Sequence, residues 1–316
     1  MKCFRAAGFT IETSWPVNTE SEQSLHQAKK NAAASTIMLV CRKRAPSDGR
    51  PPFFEDIEAE VRAAARDALV RLSDAGIRGV DLLLATYGPA LSVISARWPV
   101  YSSDADPLTG RSRLLRPEEA LDAAREEVTR LQRLRLIGHP VQLDPLTDFA
   151  LIAWDTFKAE EFPFDEARRL ALAVGGLDVD ELARARVIAK KLGTVVLLPP
   201  AKRVRRAADA EAGVPGVYPD ATTFASVLDA LHTVMYVADE DGLPAAKALA
   251  DRAGLTTDSR FLAALQGMVN AVPRTKVKGD WLRGEARTLD ALCTAYFPDV
   301  SLPESTARAE QLDLGM

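Results

Sequence analysis

The sequence predicts a mostly α protein of the α+β class, and three observations point there. Ala, Leu and Arg dominate the 316 residues while aromatic residues make up only 6%, a balance that favours helices. After about residue 52, apolar residues recur at helical spacing almost throughout. The exceptions lie near the amino end. "FTIETSWPV" (Phe9 to Val17) alternates at period two, placing Phe9, Ile11, Thr13, Trp15 and Val17 on one side of a half-buried strand. "STIMLVCRKR" (Ser35 to Arg44) holds an apolar run, Ile37 to Cys41, that ends in three cations. That run predicts a strand over Thr36 to Cys41, buried on both faces like those inside a large parallel or mixed sheet. Two strands joined by so long a polar connection make no stable isolated hairpin. Residues 1–44 therefore read as the end of something larger.

The remaining elements follow in order. "MKCFRAAGF" reads as the last turn of a helix stopped by Gly8, and "APSDGRPP" as a linker. Phe54, Ile57, Val61, Ala65, Leu69 and Leu72 predict a helix closed by Gly76. "VDLLLATYGPALSVISARW" predicts two short buried helices broken at Gly88-Pro89, and "DADPLTGRSR" a loop. Pro117 opens a helix with acids in its first turn and Arg130, Arg133 and Arg135 in its last, packing Leu121, Ala124, Val128 and Leu131 inward. Helices follow over Phe149 to Lys158, over Asp165 to Val174, and from Asp178 to a stop at Gly193, the last with a capping pair Asp178 and Glu181. "TVVLL" (Thr194 to Leu198) is a short strand with a basic flank, and helix, helix, strand resembles part of a winged helix-turn-helix. "ADAEAGVPGVYPD" reads as a second linker. Four helical stretches then span 221–297, with Leu228, Leu231, Met235, Phe261, Leu265, Met268, Leu289, Leu292 and Phe297 as core. The tail is expected to fray. The domain boundaries expected are 1–44, 45–147, 148–206, 207–300 and 301–316.

A formal charge of −4 gives no global pull toward nucleic acid. Cys3, Cys41 and Cys293 are odd in number, far apart and lack CxxC spacing, so neither a disulfide framework nor a zinc ribbon fits. His26, His139 and His232 are isolated, and no metal site is expected. No run of about 18 apolar residues exists, so no membrane span or membrane partner is expected. The first residues lack an apolar signal region. The expected location is cytoplasmic.

"AGFTIETSWPVNTE" followed by "KNAAASTIMLVCRKR" resembles the end of the catalytic domain of adenine-specific DNA methyltransferases, most closely the large, phage-defence-associated methylases. In that family the last two strands form an antiparallel pair at the edge of a doubly wound sheet, and a long helical region follows. "GIRGVDLLLATYGPALSVIS", "LRPEEALDAAREEV" and "AWDTFKAEEFPFDEARRLA" look like that region, so the resemblance runs to about Phe297. It implies that residues 1–44 are a two-strand remnant of the methyltransferase sheet. It also implies S-adenosylmethionine as cofactor and DNA as partner of the complete enzyme. Two family motifs are missing from the sequence. One is the glycine-rich turn that approaches the cofactor; the other is the Asp-Pro-Pro-aromatic loop that receives the flipped base. "DPLT" occurs at Asp106 and Asp144 without the second proline or the aromatic, and reads as two loop turns. "AVGGL" (Ala173 to Leu177) follows a helix and is its stop. No catalytic and no cofactor-binding residue is assigned in this chain.

One candidate site remains, for nucleic acid. Arg184, Arg186, Lys190, Lys191, Lys202, Arg203, Arg205 and Arg206 lie in a stretch without an acidic residue, a local positive field suited to phosphates. Three further groups have bland readings: "CRKR" as strand-end charge, Trp281 among Lys276, Lys278, Arg283 and Arg287 as packing on the helix near Glu285, and Trp154, Phe157, Phe162 and Phe164 as core. Asp155, Glu160, Glu161, Asp165 and Glu166 crowd one segment and read as helix-terminus and solvent carboxylates. The expected function is the C-terminal portion of an adenine-specific DNA methyltransferase, inactive alone, either a truncated product or half of a split enzyme. Its partner would be DNA and a separately encoded N-terminal methyltransferase half. The rival readings are a stand-alone helical DNA-binding or adaptor protein, and an unrelated helical scaffold.

Overall fold

The computed structural model describes residues 8–18, 35–44, 50–77, 79–105, 112–277, 279–304 and 306–307. Strands β1 (Phe9–Asn18) and β2 (Ser35–Lys43) come first, then helices α1 (Phe54–Asp74), α2 (Gly79–Ala85) and α3 (Tyr87–Ala96). Strands β3 (Tyr101–Ala105) and β4 (Ser112–Leu114) precede α4 (Pro117–Ile137) and α5 (Pro145–Phe157). Next come β5 (Glu161–Pro163), α6 (Phe164–Gly175), α7 (Val179–Arg184), β6 (Ile188–Lys190) and β7 (Thr194–Leu197). A 3-10 turn at Pro200–Arg203 and the short α8 (Ala207–Glu211) lead to α9 (Val227–Glu240), α10 (Leu243–Arg252) and α11 (Ser259–Ala271). Strands β8 (Thr275–Val277) and β9 (Asp280–Trp281), helix α12 (Gly284–Tyr296) and β10 (Thr306–Ala307) complete the order. The protein is mostly helical with a few small sheets, as the composition predicts. By packing, the chain divides into residues 1–132 with 163–177, and residues 133–162 with 178–316.

In the first unit α1 buries Ile57, Val61, Ala65, Ala68 and Leu72, the predicted stripe, with Phe54 and Leu69 half-buried. Leu82 and Ala85 of α2 join Ala68 and Leu72 in one apolar cluster. Each large side chain so buried contributes about 1.5–3 kcal/mol. The break between α2 and α3 falls at Thr86, not at Gly88-Pro89. Pro89 sits in the first turn of α3, where its missing N–H has no partner to lose. The predicted loop before α4 is partly a hairpin, because β3 and β4 pair antiparallel on either side of it; Asp106 lies outside the described residues, as do Cys3, His26, the segment before Gly8 and most of "APSDGRPP".

The β1–β2 pair is antiparallel, and among the described residues it has no third strand. Its register shifts between Ile11 and Thr13, a bulge that breaks the period-two parity expected to run from Phe9 to Val17. Helix α3 packs on β1, where the Ile11 N–H donates to Ser95 Oγ at 2.8 Å and Arg44 donates to the Ser95 carbonyl at 3.2 Å. Ile11 is buried opposite half-buried Cys41. The other face of β2 is open, with Met38 56% and Val40 45% exposed. The expectation of a strand buried on both faces is therefore wrong for this chain: one face is covered and the other is not.

In the second unit all nine predicted core residues between 228 and 297 are buried, Leu228, Leu231, Met235, Phe261, Leu265, Met268, Leu289, Leu292 and Phe297. Asp144 is not a loop turn but the N-cap of α5. Its Oδ1 accepts the Thr147 N–H at 3.0 Å, and its Oδ2 accepts the Val227 N–H at 2.9 Å in the first turn of α9. Thr147 Oγ accepts the next α9 amide, Leu228, at 2.9 Å, and Ser226 Oγ the third, Asp229, at 3.1 Å. The orphan donors of two helix starts thus meet one carboxylate and two hydroxyls. The helix predicted from Asp178 to Gly193 is cut to α7 by Arg186, in the left-handed region at φ 51°, ahead of the β-branched pair Val187-Ile188. Its capping box of Asp178 and Glu181 is present. The second linker is packed: Val217 and Tyr218 are buried, and Val217 bridges to Val204. The tail is not wholly frayed, since Thr306–Ala307 pairs in parallel with β8.

Asp144→Ala is expected to lose about 2 kcal/mol, because two helix starts lose an acceptor, and Asp144→Asn distinctly less; urea denaturation measures both. Buried Arg133 and Asp148 pair in the core of this unit, and burial pushes the Asp148 carboxyl up to about 6 against the pull of Arg133. The folded state therefore holds a proton that the unfolded chain releases, so this group's contribution is full below about pH 4 and is lost as pH rises through 6. Denaturation midpoints across that window should show the decline, and Asp148→Asn should flatten it.

Candidate nucleic-acid interface

Strands β5, β7 and β6 form a three-stranded sheet in that order. β6 and β7 are antiparallel, joined through Leu192-Gly193, with the Lys191 N–H donating to the Thr194 carbonyl at 2.9 Å. Gly193 takes φ 79° there, a conformation a side chain disfavours. Leu192 at the hairpin tip is fully exposed. α7 packs on β6, and between them opens a groove of about 580 Å³. Ala183, Ile188, Ala189 and Leu198 form its apolar part; Arg184, Arg186, Lys190 and Lys202 supply four cations against one carboxylate, Asp180.

The predicted basic residues thus separate into three groups. Arg184, Arg186, Lys190 and Lys202 come together at the groove. Lys190 also pairs with Asp180, and Arg186 donates to the Val204 carbonyl at 2.7 Å. Lys191 points elsewhere, to Glu161 at 2.6 Å, whose carboxyl it holds below its ordinary value. Arg206 is exposed and does not line the groove, while Arg205 is half-buried and donates to the Arg184 carbonyl.

Arg203 cannot touch a phosphate in this fold. Its side chain is 0% exposed and pairs with Asp229 at 2.5 Å. Nε donates to the Arg186 carbonyl at 3.0 Å and Nη2 to the Ala185 carbonyl at 3.4 Å. Nη1 lies 3.1 Å from His232 Nδ1; because a guanidinium only donates, that nitrogen is the acceptor and the imidazole is neutral. Burial, with the charge of Arg203 added, holds His232 well below its ordinary value. Burial likewise pushes the Asp229 carboxyl up against the pull of Arg203. Asp229 escaped the sequence reading, and His232, read there as an isolated residue, is buried against Arg203 instead. Their signal was an acid and a histidine three apart among Leu228, Leu231, Val234 and Met235, since buried charge on an apolar stripe demands a partner.

No family model, no curated protein and no solved structure matches this chain.

The other candidates are held by local partners. Trp281 is half-buried in a strand, with Lys276 4.3 Å and Arg274 5.0 Å from its ring centre, a cation–π arrangement. Trp154 and Phe162 are buried, and Phe157 stacks on Phe162 at 4.0 Å, as expected of core. Among the clustered acids, Asp155 pairs with Arg135 and Lys158, Glu160 with Arg283, and Glu166 with Arg169. Among the described residues no group of His, Cys, Asp or Glu could hold a metal ion. Cys293 is buried, and burial pushes its thiol up to about 12. No described helix is long and apolar enough to cross a membrane.

Arg203→Met should destabilise the chain by about 3–5 kcal/mol, since it leaves Asp229 buried and unpaired. Lys202→Ala beside it should stay within about 0.5 kcal/mol; thermal denaturation of the two variants side by side checks the contrast.

Proposed function

We propose that the chain is the C-terminal portion of an adenine-specific DNA methyltransferase, with β1 and β2 as the last strands of its catalytic sheet and the helical region engaging DNA. The observation that carries the reading is the unfinished β1–β2 pair. A two-stranded ribbon with one face on α3 and Met38 and Val40 bare on the other has the features of a sheet edge whose neighbours belong to another polypeptide. The residues of that ribbon are also the ones that resemble the methylases. On this reading the cofactor and base pockets lie in a partner half, and S-adenosylmethionine is that half's ligand.

The DNA-engaging part is supported by topology and charge. Within the second unit, α7 followed by the β6–β7 hairpin is the helix-then-wing order of a winged helix, and β5 joins the hairpin's sheet beside β7. Arg184 ends that helix and Lys190 lies in the hairpin, the elements that approach DNA in such folds, while Arg186 and Lys202 stand in the turns that follow each of them. Affinity for a mixed-sequence DNA duplex should fall with salt at a log–log slope of about −3 to −4 for four engaged cations, and Arg184→Gln/Lys202→Gln should remove about half of it.

The central test is reconstitution with an upstream-encoded half bearing the glycine-rich and Asp-Pro-Pro-aromatic motifs. Methyl transfer from S-adenosylmethionine to adenine is expected only from the mixture. Met38→Asp/Val40→Asp should leave this chain folded while weakening association at least about thirtyfold. Salt-dependent DNA binding together with no such half, or no association with it, would overturn the methylase reading in favour of a stand-alone DNA-binding protein.

A further inference from the structure

We infer that Arg203 is a positioning residue for the basic groove: one buried guanidinium fixes both walls and thereby the spacing of the cations presented to DNA. The inference rests on the DNA-engaging reading above and adds to it the device that shapes the site.

α7 is only six residues long, too short to hold its own geometry. Its last carbonyl and the two that follow are met by arginine side chains from the 203–205 segment. Arg205 donates to the carbonyl of Arg184, and Arg203 donates to those of Ala185 and Arg186. Cations at this end also suit the helix dipole. The Arg186 carbonyl belongs to the left-handed residue where the chain turns from α7 toward β6, so its bond to Arg203 Nε at 3.0 Å pins the turn itself. That turn sets where Arg184, Arg186 and Lys190 stand.

Lys202 belongs to the opposite wall. It lies in the 3-10 turn that ends at Arg203, so anchoring Arg203 anchors its neighbour. The anchor is α9, through Asp229 at 2.5 Å and His232 Nδ1 at 3.1 Å. Arg203 therefore joins three things in one planar fork: the end of α7, the turn carrying Lys202, and the buried first half of α9. A lysine at this position would keep the charge but not the fork. The sequence reading placed Arg203 among the phosphate contacts; its burial gives it the complementary task.

The test uses the full chain with R203M/D229L, which replaces the buried ion pair by apolar groups of similar volume, a change that commonly leaves stability intact. Two readouts follow. Hydrogen exchange at the amides of 184–190 should rise at least about tenfold while those of α9 and α11 hold, a local loosening that a general loss of stability does not produce. Affinity for a mixed-sequence DNA duplex should fall about tenfold, and its salt slope should flatten by about one. Unchanged exchange at 184–190, or an unchanged slope in a wild-type chain that does bind, overturns the inference. A wild-type chain with no salt-dependent affinity removes the DNA reading, and the exchange result then decides alone whether Arg203 holds the two walls. Should the double variant not fold, R203K carries the same two readouts.

Discussion

A guanidinium without water around it governs the second unit. Removing Arg203 from solvent carries a penalty of several kcal/mol, and the site offsets it with four hydrogen bonds to the fork. Asp229 neutralises the charge, while the carbonyls of Ala185 and Arg186 and the imidazole of His232 take three further donors. The arrangement holds only if every member is in place. A protonated His232 would set two cations 3.1 Å apart, and a lost Asp229 would leave the charge stranded. The pair thus adds little net stability by comparison with a hydrophobic plug, and its effect is on geometry. It selects one angle for a helix that could not select it alone.

Beside it, at the start of α9, the same unit is organised by sharing caps. Asp144 and Thr147 serve the start of α5 and also accept the first amides of α9, so the two helices cannot slide past each other without orphaning donors in a buried place. Packing agrees with this constraint. At Gly267 in α11 an added Cβ would come within 3.0 Å of Leu151 in α5, so the absence of a side chain there permits α5 and α11 to approach closely. Polar sharing fixes the register, and small residues permit the distance.

The long periodic helices were legible in the sequence because burial writes itself at a period of 3.6. Ile57, Val61, Ala65 and Leu72, and the nine core positions from Leu228 to Phe297, are buried as their spacing indicates. What failed was local and depended on contacts far along the chain. Asp144 looks like an Asp-Pro turn because its second client, Val227, is 83 residues away. The α7 boundary was missed because the left-handed residue that ends it is Arg186, whose carbonyl is held by Arg203, and no glycine marks the turn. The basic stretch was legible as a charge density but not as a division of labour. Eight cations in sequence look alike, and only folding buries one of them completely while bringing four to a groove.

The amino-terminal strands show how far a pattern can outrun its own chain. The run from Ile37 to Cys41 has the composition of a strand covered on both sides, yet Met38 and Val40 are bare. Composition and environment disagree, and two causes of such a mismatch are open to a short apolar strand. An edge strand that must stay free is blunted by charge, proline or an inward bulge. Here the cations Arg42, Lys43 and Arg44 stand only at the strand's end, and the bulge lies on β1, whose Ile11 amide is already held by Ser95. Among the described residues, nothing covers Met38 and Val40 on the open face of β2. A strand whose composition suits burial but whose face is half bare among the described residues is the mismatch on which the proposed split rests.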